Sequence, residues 1–114
     1  MTSSAILINY LHALFPSFVE NQVKYFLHKE KEHGLDMSNL TDSTKLVIIP
    51  DAGSNDYLMH SILRERGIDV IILDHHEAVM ESDDAIVVNN QLCDYPNKTL
   101  SGAGIVYKFC KYID

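Results

Sequence analysis

The sequence has no hydrophobic run approaching the roughly 18–20 residues that a bilayer span requires, no internal repeat and no low-complexity tract. The opening stretch MTSSAILINYLHALFP is apolar, yet it has no basic leading region and no small-residue cleavage site, and it carries Asn9, Tyr10 and His12. It reads as a buried helix rather than a signal peptide. Cysteine is scarce: Cys93 and Cys110 share no CxxC spacing, so they are read as free thiols in a reducing cytoplasm rather than as a disulfide framework or metal ribbon. Positive charge is also in deficit, with 9 Lys and Arg against 16 Asp and Glu and a net charge of −7. That balance argues against a general electrostatic footprint for nucleic acid. It leaves nucleic-acid substrates open, because a bound divalent cation reverses the local field.

What is present is an ordinary globular composition, 46% hydrophobic and 22% charged over 114 residues, enough for one domain and no second one. Thr2-Ser3-Ser4 offers capping hydroxyls to a helix over about Ser4–Phe15, with Pro16 as its stop. Its apolar residues run nearly all the way round, which predicts burial on more than one side. VKYFLHK, Val23–Lys29, is a strand candidate, and the charged KEKEHG after it reads as a solvated loop or helix end. KLVIIP (Lys45–Pro50), IDVIILD (Ile68–Asp74) and AIVVNN (Ala85–Asn90) are short β-branched runs of the kind buried on both faces of a sheet. SNDYLMHSILRERG reads as a helix capped by Ser54 or Asn55 and ended by Gly67, and SGAGIVYKFCKYI, Ser101–Ile113, as a closing helix. Strands this apolar, alternating with helices, predict a three-layer α/β/α fold with a mainly parallel sheet.

In such sheets ligands bind beyond the carboxyl ends of the strands. Asp51 follows one predicted strand directly, and Asp74-His75-His76 ends another. Carboxylate and imidazole suit Mn, Zn, Fe or Mg rather than soft metals. Neighbouring histidines on an extended turn should point to different sides, so one is expected to bind metal and the other to face substrate. Asp74 would orient the ligating imidazole. Against this stands coincidence: with ten Asp and six His, chance places such a triplet roughly a few per cent of the time. Its position at a strand end, beside a second strand ending in Pro-Asp, favours the site.

The stretch LDHH resembles the signature of the DHH phosphoesterases. IIPDAGSND (Ile48–Asp56) is similar to that family's second motif, and LSGAGIVYKF (Leu100–Phe109) to a helix start of its RecJ-like branch. GIDVIILDHHE followed by AIVVNNQLCDYPNKTLSGAG has the order and spacing of that branch. The resemblance implies a metal-bridging role for Asp51, a metal-ligating role for His75, a phosphate contact for His76 and an orienting role for Asp74. Ser101, Gly102 and Gly104 would form a helix start whose N–H groups face a phosphate, although close helix–strand packing explains the glycines equally well. Asn55 and Asp56 are read as helix caps, and His12, His28, His33 and His60 as structural or surface residues.

The family's Asp-x-Asp-Gly motif is absent, and so is its later metal-binding aspartate. The resemblance therefore implies a partial DHH catalytic domain, residues 1–114, from a longer cytoplasmic enzyme. That enzyme would use two Mn²⁺ (or Mg²⁺) ions, held weakly or not at all by this stretch alone. Its implied substrate is single-stranded DNA, with short RNA or a cyclic dinucleotide as the alternative. A degenerate module acting as a binding or scaffold subunit is the non-enzymatic alternative. An uncovered sheet edge or first helix is expected to invite self-association, and no membrane partner is expected.

Overall fold

The computed structural model describes residues 2–26, 35–92 and 95–114. Helices α1 (Thr2–Leu14) and α2 (Pro16–Gln22) lead through a 3₁₀ turn at Met37–Asn39 to strand β1 (Leu46–Pro50). Helix α3 (Tyr57–Glu65), strands β2 (Asp69–Asp74) and β3 (Ile86–Asn89), and helix α4 (Gly102–Ile113) complete the described elements. The three strands form one parallel sheet in the order β1-β2-β3. Ile48 pairs with Ile71, and Leu73 with Val88.

Alternation along the strands sorts their side chains between two cores. Val47, Ile49, Val70 and Ile72 pack with Met59 and Leu63 of α3. Ile48, Ile71 and Leu73 face the opposite way, onto Ile105, Val106 and Cys110 of α4, with Leu7 of α1 behind them. Helices on both faces of a parallel sheet make the expected three-layer α/β/α arrangement. β2 is the middle strand, and Ile72 and Leu73 are wholly buried. Gly67 ends α3 with φ +74°, a left-handed conformation that costs glycine little. No described helix is long and apolar enough to cross a membrane.

Four expectations change. Pro16 opens α2 at its first turn instead of only closing α1, because proline's missing N–H costs nothing there. Helix α1 is buried along one stripe, at Ser3 and Leu7, while Ala5, Asn9, Ala13 and Leu14 are exposed; it lies against α4 and α2, and its other sides meet solvent. Residues Val23–Phe26 form no strand, with Tyr25 and Phe26 exposed; the rest of that predicted strand, the KEKEHG stretch, His28, His33 and Cys93 lie outside the described residues. Neither Ser54 nor Asn55 caps α3. Asp56 holds the cap position without a side-chain cap bond, since Ser54 and Asn55 are engaged across the site.

Candidate metal centre

Parallel strands bring their carboxyl ends to one edge, and the end of β1 is tied there to β2. The Asp51 N–H donates to the Leu73 carbonyl at 2.7 Å. Asp51 takes φ +66°, a left-handed conformation that aspartate tolerates better than most residues but still at a cost. Its carboxylate turns toward the start of α4, into the space where a Cβ on Gly102 would collide with Oδ1 and Cγ. Oδ1 is buried and has no hydrogen-bond partner. Nε2 of His75 lies 3.0 Å from it, a contact without hydrogen-bond alignment.

Asp74 is almost wholly buried and fully employed. Its Oδ1 accepts from the His75 N–H at 2.8 Å, the His76 N–H at 3.3 Å and His76 Nδ1 at 2.6 Å. Its Oδ2 accepts from the Ser54 N–H at 3.2 Å. Burial opposes ionisation, but the hydrogen bonds from His76 and Ser54 outweigh it and hold the Asp74 carboxyl below the ordinary carboxylate value. An ionised Asp74 requires His76 to carry its proton on Nδ1, which leaves Nε2 facing outward.

Two expectations about the triplet change here. The rings of His75 and His76 do not diverge: their centroids are 4.5 Å apart at 47°. Asp74 takes the ring of His76, not of His75, because the tight turn after β2 curls residue 76 back over the carboxylate. His75, contacting Asp74 only through its backbone, is free to turn toward Asp51. Asp51, Asp74, His75 and His76 each offer a ligand atom, all within 4.8 Å of one another.

At the start of α4, Ser101 Oγ accepts from the Gly104 N–H at 3.1 Å. That pair therefore serves as the helix cap. A Cβ on Gly104 would press on Leu100, and one on Gly102 on Asp51, so Gly102 makes room for a carboxylate rather than for a strand. Asn55 ties two loops instead of capping: its Nδ2 donates to the Glu77 carbonyl at 2.8 Å and its Oδ1 accepts from the Val79 N–H at 3.0 Å. His60 is wholly buried, with Nε2 against the Gly53 carbonyl at 2.8 Å and Nδ1 against Ser82 Oγ at 2.9 Å. His12 is exposed, 3.8 Å from Glu20.

Sequence reasoning missed Ser54 and Asn89. Both are buried, and Asn89 Nδ2 donates to Ser54 Oγ at 2.8 Å and to the His76 carbonyl at 2.9 Å. The available signal was an asparagine at the end of an apolar strand, where a buried amide needs partners.

The donor set fits a hard or borderline divalent cation: two carboxylates and two imidazoles at one edge, including a buried carboxylate oxygen that no protein donor satisfies. An ion between Asp51 and His75 would supply what that oxygen lacks.

The chain is 48% identical over 114 residues to YorK, an SPbeta prophage-derived protein of Bacillus subtilis (strain 168) provisionally named a single-strand DNA-specific exonuclease; the match covers 99% of this chain and 19% of that protein. It is 42% identical over 66 residues to the single-stranded-DNA-specific exonuclease RecJ of Bacillus subtilis (strain 168), covering 55% of this chain and 8% of RecJ. The crystal structure of an exonuclease RecJ bound to manganese superposes with a TM-score of 0.74 at 25% identity, over 96% of this chain and 28% of the other. The chain thus spans about a fifth of YorK's length. Residues 1–114 match the DHH family, N-terminal domain, and the chain belongs to that family.

Proposed function

We propose that this chain forms part of the catalytic domain of a manganese-dependent phosphodiesterase that degrades single-stranded DNA from an end. The observation that carries the reading is the unsatisfied, buried Asp51 Oδ1 beside His75 Nε2 at 3.0 Å, at the edge where a parallel sheet binds ligands. The names of the relatives and the manganese in the RecJ structure support it.

Asp51 and His75 would hold metal. Bound divalent ions supply an activated water and neutralise charge on the phosphate oxygens. The remaining steps belong to the protein. Asp74 keeps a proton on His76 Nδ1 and so fixes which edge of that ring faces out. The outward Nε2 edge would then face the non-bridging phosphate oxygens of a bound substrate. Ser101 and Gly104 set the start of α4, against which Asp51 rests, and their part in substrate binding is through that placement.

Two ligands, Asp51 and His75, cannot hold a pair of ions tightly, so the 114-residue chain by itself turns over little or no substrate. A nuclease of this kind meets its substrate in the cytoplasm, where the proposal places the protein. The test uses the product of the open reading frame that contains this chain, with the 114-residue chain assayed in parallel. Mn²⁺-dependent release of nucleotides from 5′-phosphorylated single-stranded DNA, lost in His75→Ala, is the expected result. Preference for short RNA or a cyclic dinucleotide would overturn the substrate. Absence of turnover with every substrate would overturn the enzymatic reading in favour of a binding module.

A further inference from the structure

Three loops meet at the carboxyl edge of the sheet, and one side chain at the end of β3 touches the loops that follow β1 and β2. Asn89, the last residue of β3, is 4% exposed. Its amide nitrogen donates at 2.8 Å to the hydroxyl of Ser54, in the loop after β1, and at 2.9 Å to the carbonyl of His76, in the loop after β2. Its oxygen accepts from the Gln91 N–H at 2.8 Å, which fixes the amide's orientation. Ser54 closes the circuit, since its N–H donates to Asp74 Oδ2 while Asp74 Oδ1 takes His76 Nδ1. The ring of bonds therefore runs Asn89–Ser54–Asp74–His76 and back to Asn89.

We propose that Asn89 is a positioning residue for His76: by tying the Ser54 hydroxyl to the His76 carbonyl, it holds the Asp74–His76 pair in register and keeps the His76 proton on Nδ1. His76 is half exposed at its ring, so among the described residues this inner circuit and the neighbouring His75 ring restrain it. Losing the amide nitrogen frees the His76 peptide and the loop that presents the Ser54 N–H. The imidazole then rotates away from Asp74, and its proton distributes over both nitrogens. The value of this for phosphate contact rests on the function proposed above, whereas the tautomer itself does not.

The test reads the imidazole nitrogens of the metal-free chain by long-range ¹H–¹⁵N NMR. Asn89→Asp keeps the shape and the acceptor for Gln91 but removes both donated bonds. Ser54→Ala removes one link and provides a second variant should the first fail to fold. General loosening is read separately from the backbone amides of the buried cores, at Leu63 and Val106. The expected result is loss of the Nδ1–H form at His76 in Asn89→Asp and a smaller loss in Ser54→Ala, with the core amides unchanged. An unchanged His76 in the folded variants overturns the proposal, as does a shift of the core amides in step with His76, which would signal general loosening. The nuclease assay bears on the function alone, since this measurement needs neither metal nor substrate.

Discussion

The Asp51 carboxylate rests on the bare Cα of Gly102, where an added Cβ would overlap Oδ1 and stand 2.5 Å from Cγ. Asp51 follows β1 and Gly102 begins α4, so the pair fixes the distance between the sheet edge and the helix start. One hydrogen atom's worth of space places the candidate ligand.

Gly102→Ala is therefore expected to push Asp51 off this seat while the two hydrophobic cores stay intact. Misplacing a ligand through its surroundings typically costs about 10–100-fold in metal affinity, and the overpacking itself about 1–3 kcal/mol. Calorimetric titration with Mn²⁺, alongside urea unfolding, reads both. Unchanged affinity would mean that the carboxylate is free to settle elsewhere.

Mn²⁺ should raise the melting temperature of the chain, and EDTA should reverse the rise. At about 100 times the dissociation constant, mass action contributes about 2.7 kcal/mol. Asp51→Ala and His75→Ala are each expected to abolish the shift. An equal shift in Asp51→Ala would remove Asp51 from the ligand set.

Asp74 ties its charge to the fold. Its carboxyl is held below the ordinary value of 3.8 when folded, so its stabilising effect is fully present above that value and fades as pH falls through the lower, folded one. Acid unfolding followed by circular dichroism should show this limb, and Asp74→Asn should flatten it. The same substitution sets the amide NH2 against the Ser54 N–H in its least crowded orientation and is expected to cost about 1–3 kcal/mol at neutral pH. A variant with an unaltered acid limb would show that other carboxylates set it.

Leu63 is wholly buried between α3 and the sheet. Leu63→Ala should cost about 2–5 kcal/mol by urea denaturation, the range for a leucine cavity that cannot collapse. A loss below about 1 kcal/mol would indicate that α3 slides inward to fill the gap.

Local pattern was enough to locate β1, β2 and β3 to within a residue or so, because continuous β-branched runs such as Val70–Leu73 admit few other readings. The Gly67 stop was legible because glycine alone takes the left-handed helix end at little cost, and the Asp51–His75 neighbourhood because both follow strand ends of a parallel sheet. Val23–Phe26 was not, since it resembles a strand only in composition and pairs with none of the three strands. The pairing of Asp74 with His76 depends on how tightly the chain turns after β2, and the reason for Gly102 lies about fifty residues away at Asp51. Asn89 escaped because hydrogen bonds that bridge three loops leave no periodicity in a sequence.

The parallel sheet also sets how the chain reaches its native state. Ile71 pairs with Ile48 on one side and Ile86 on the other, so no strand pair is joined by a hairpin. Every ladder must close a long loop before its first hydrogen bond forms, which slows folding relative to chains with local contacts. The residues that would bind metal sit on loops whose positions depend on those ladders. A partly assembled chain therefore has no site to load, and a cation that binds only the finished edge would act as a late kinetic clamp, selecting completed molecules and slowing their return to the unfolded pool.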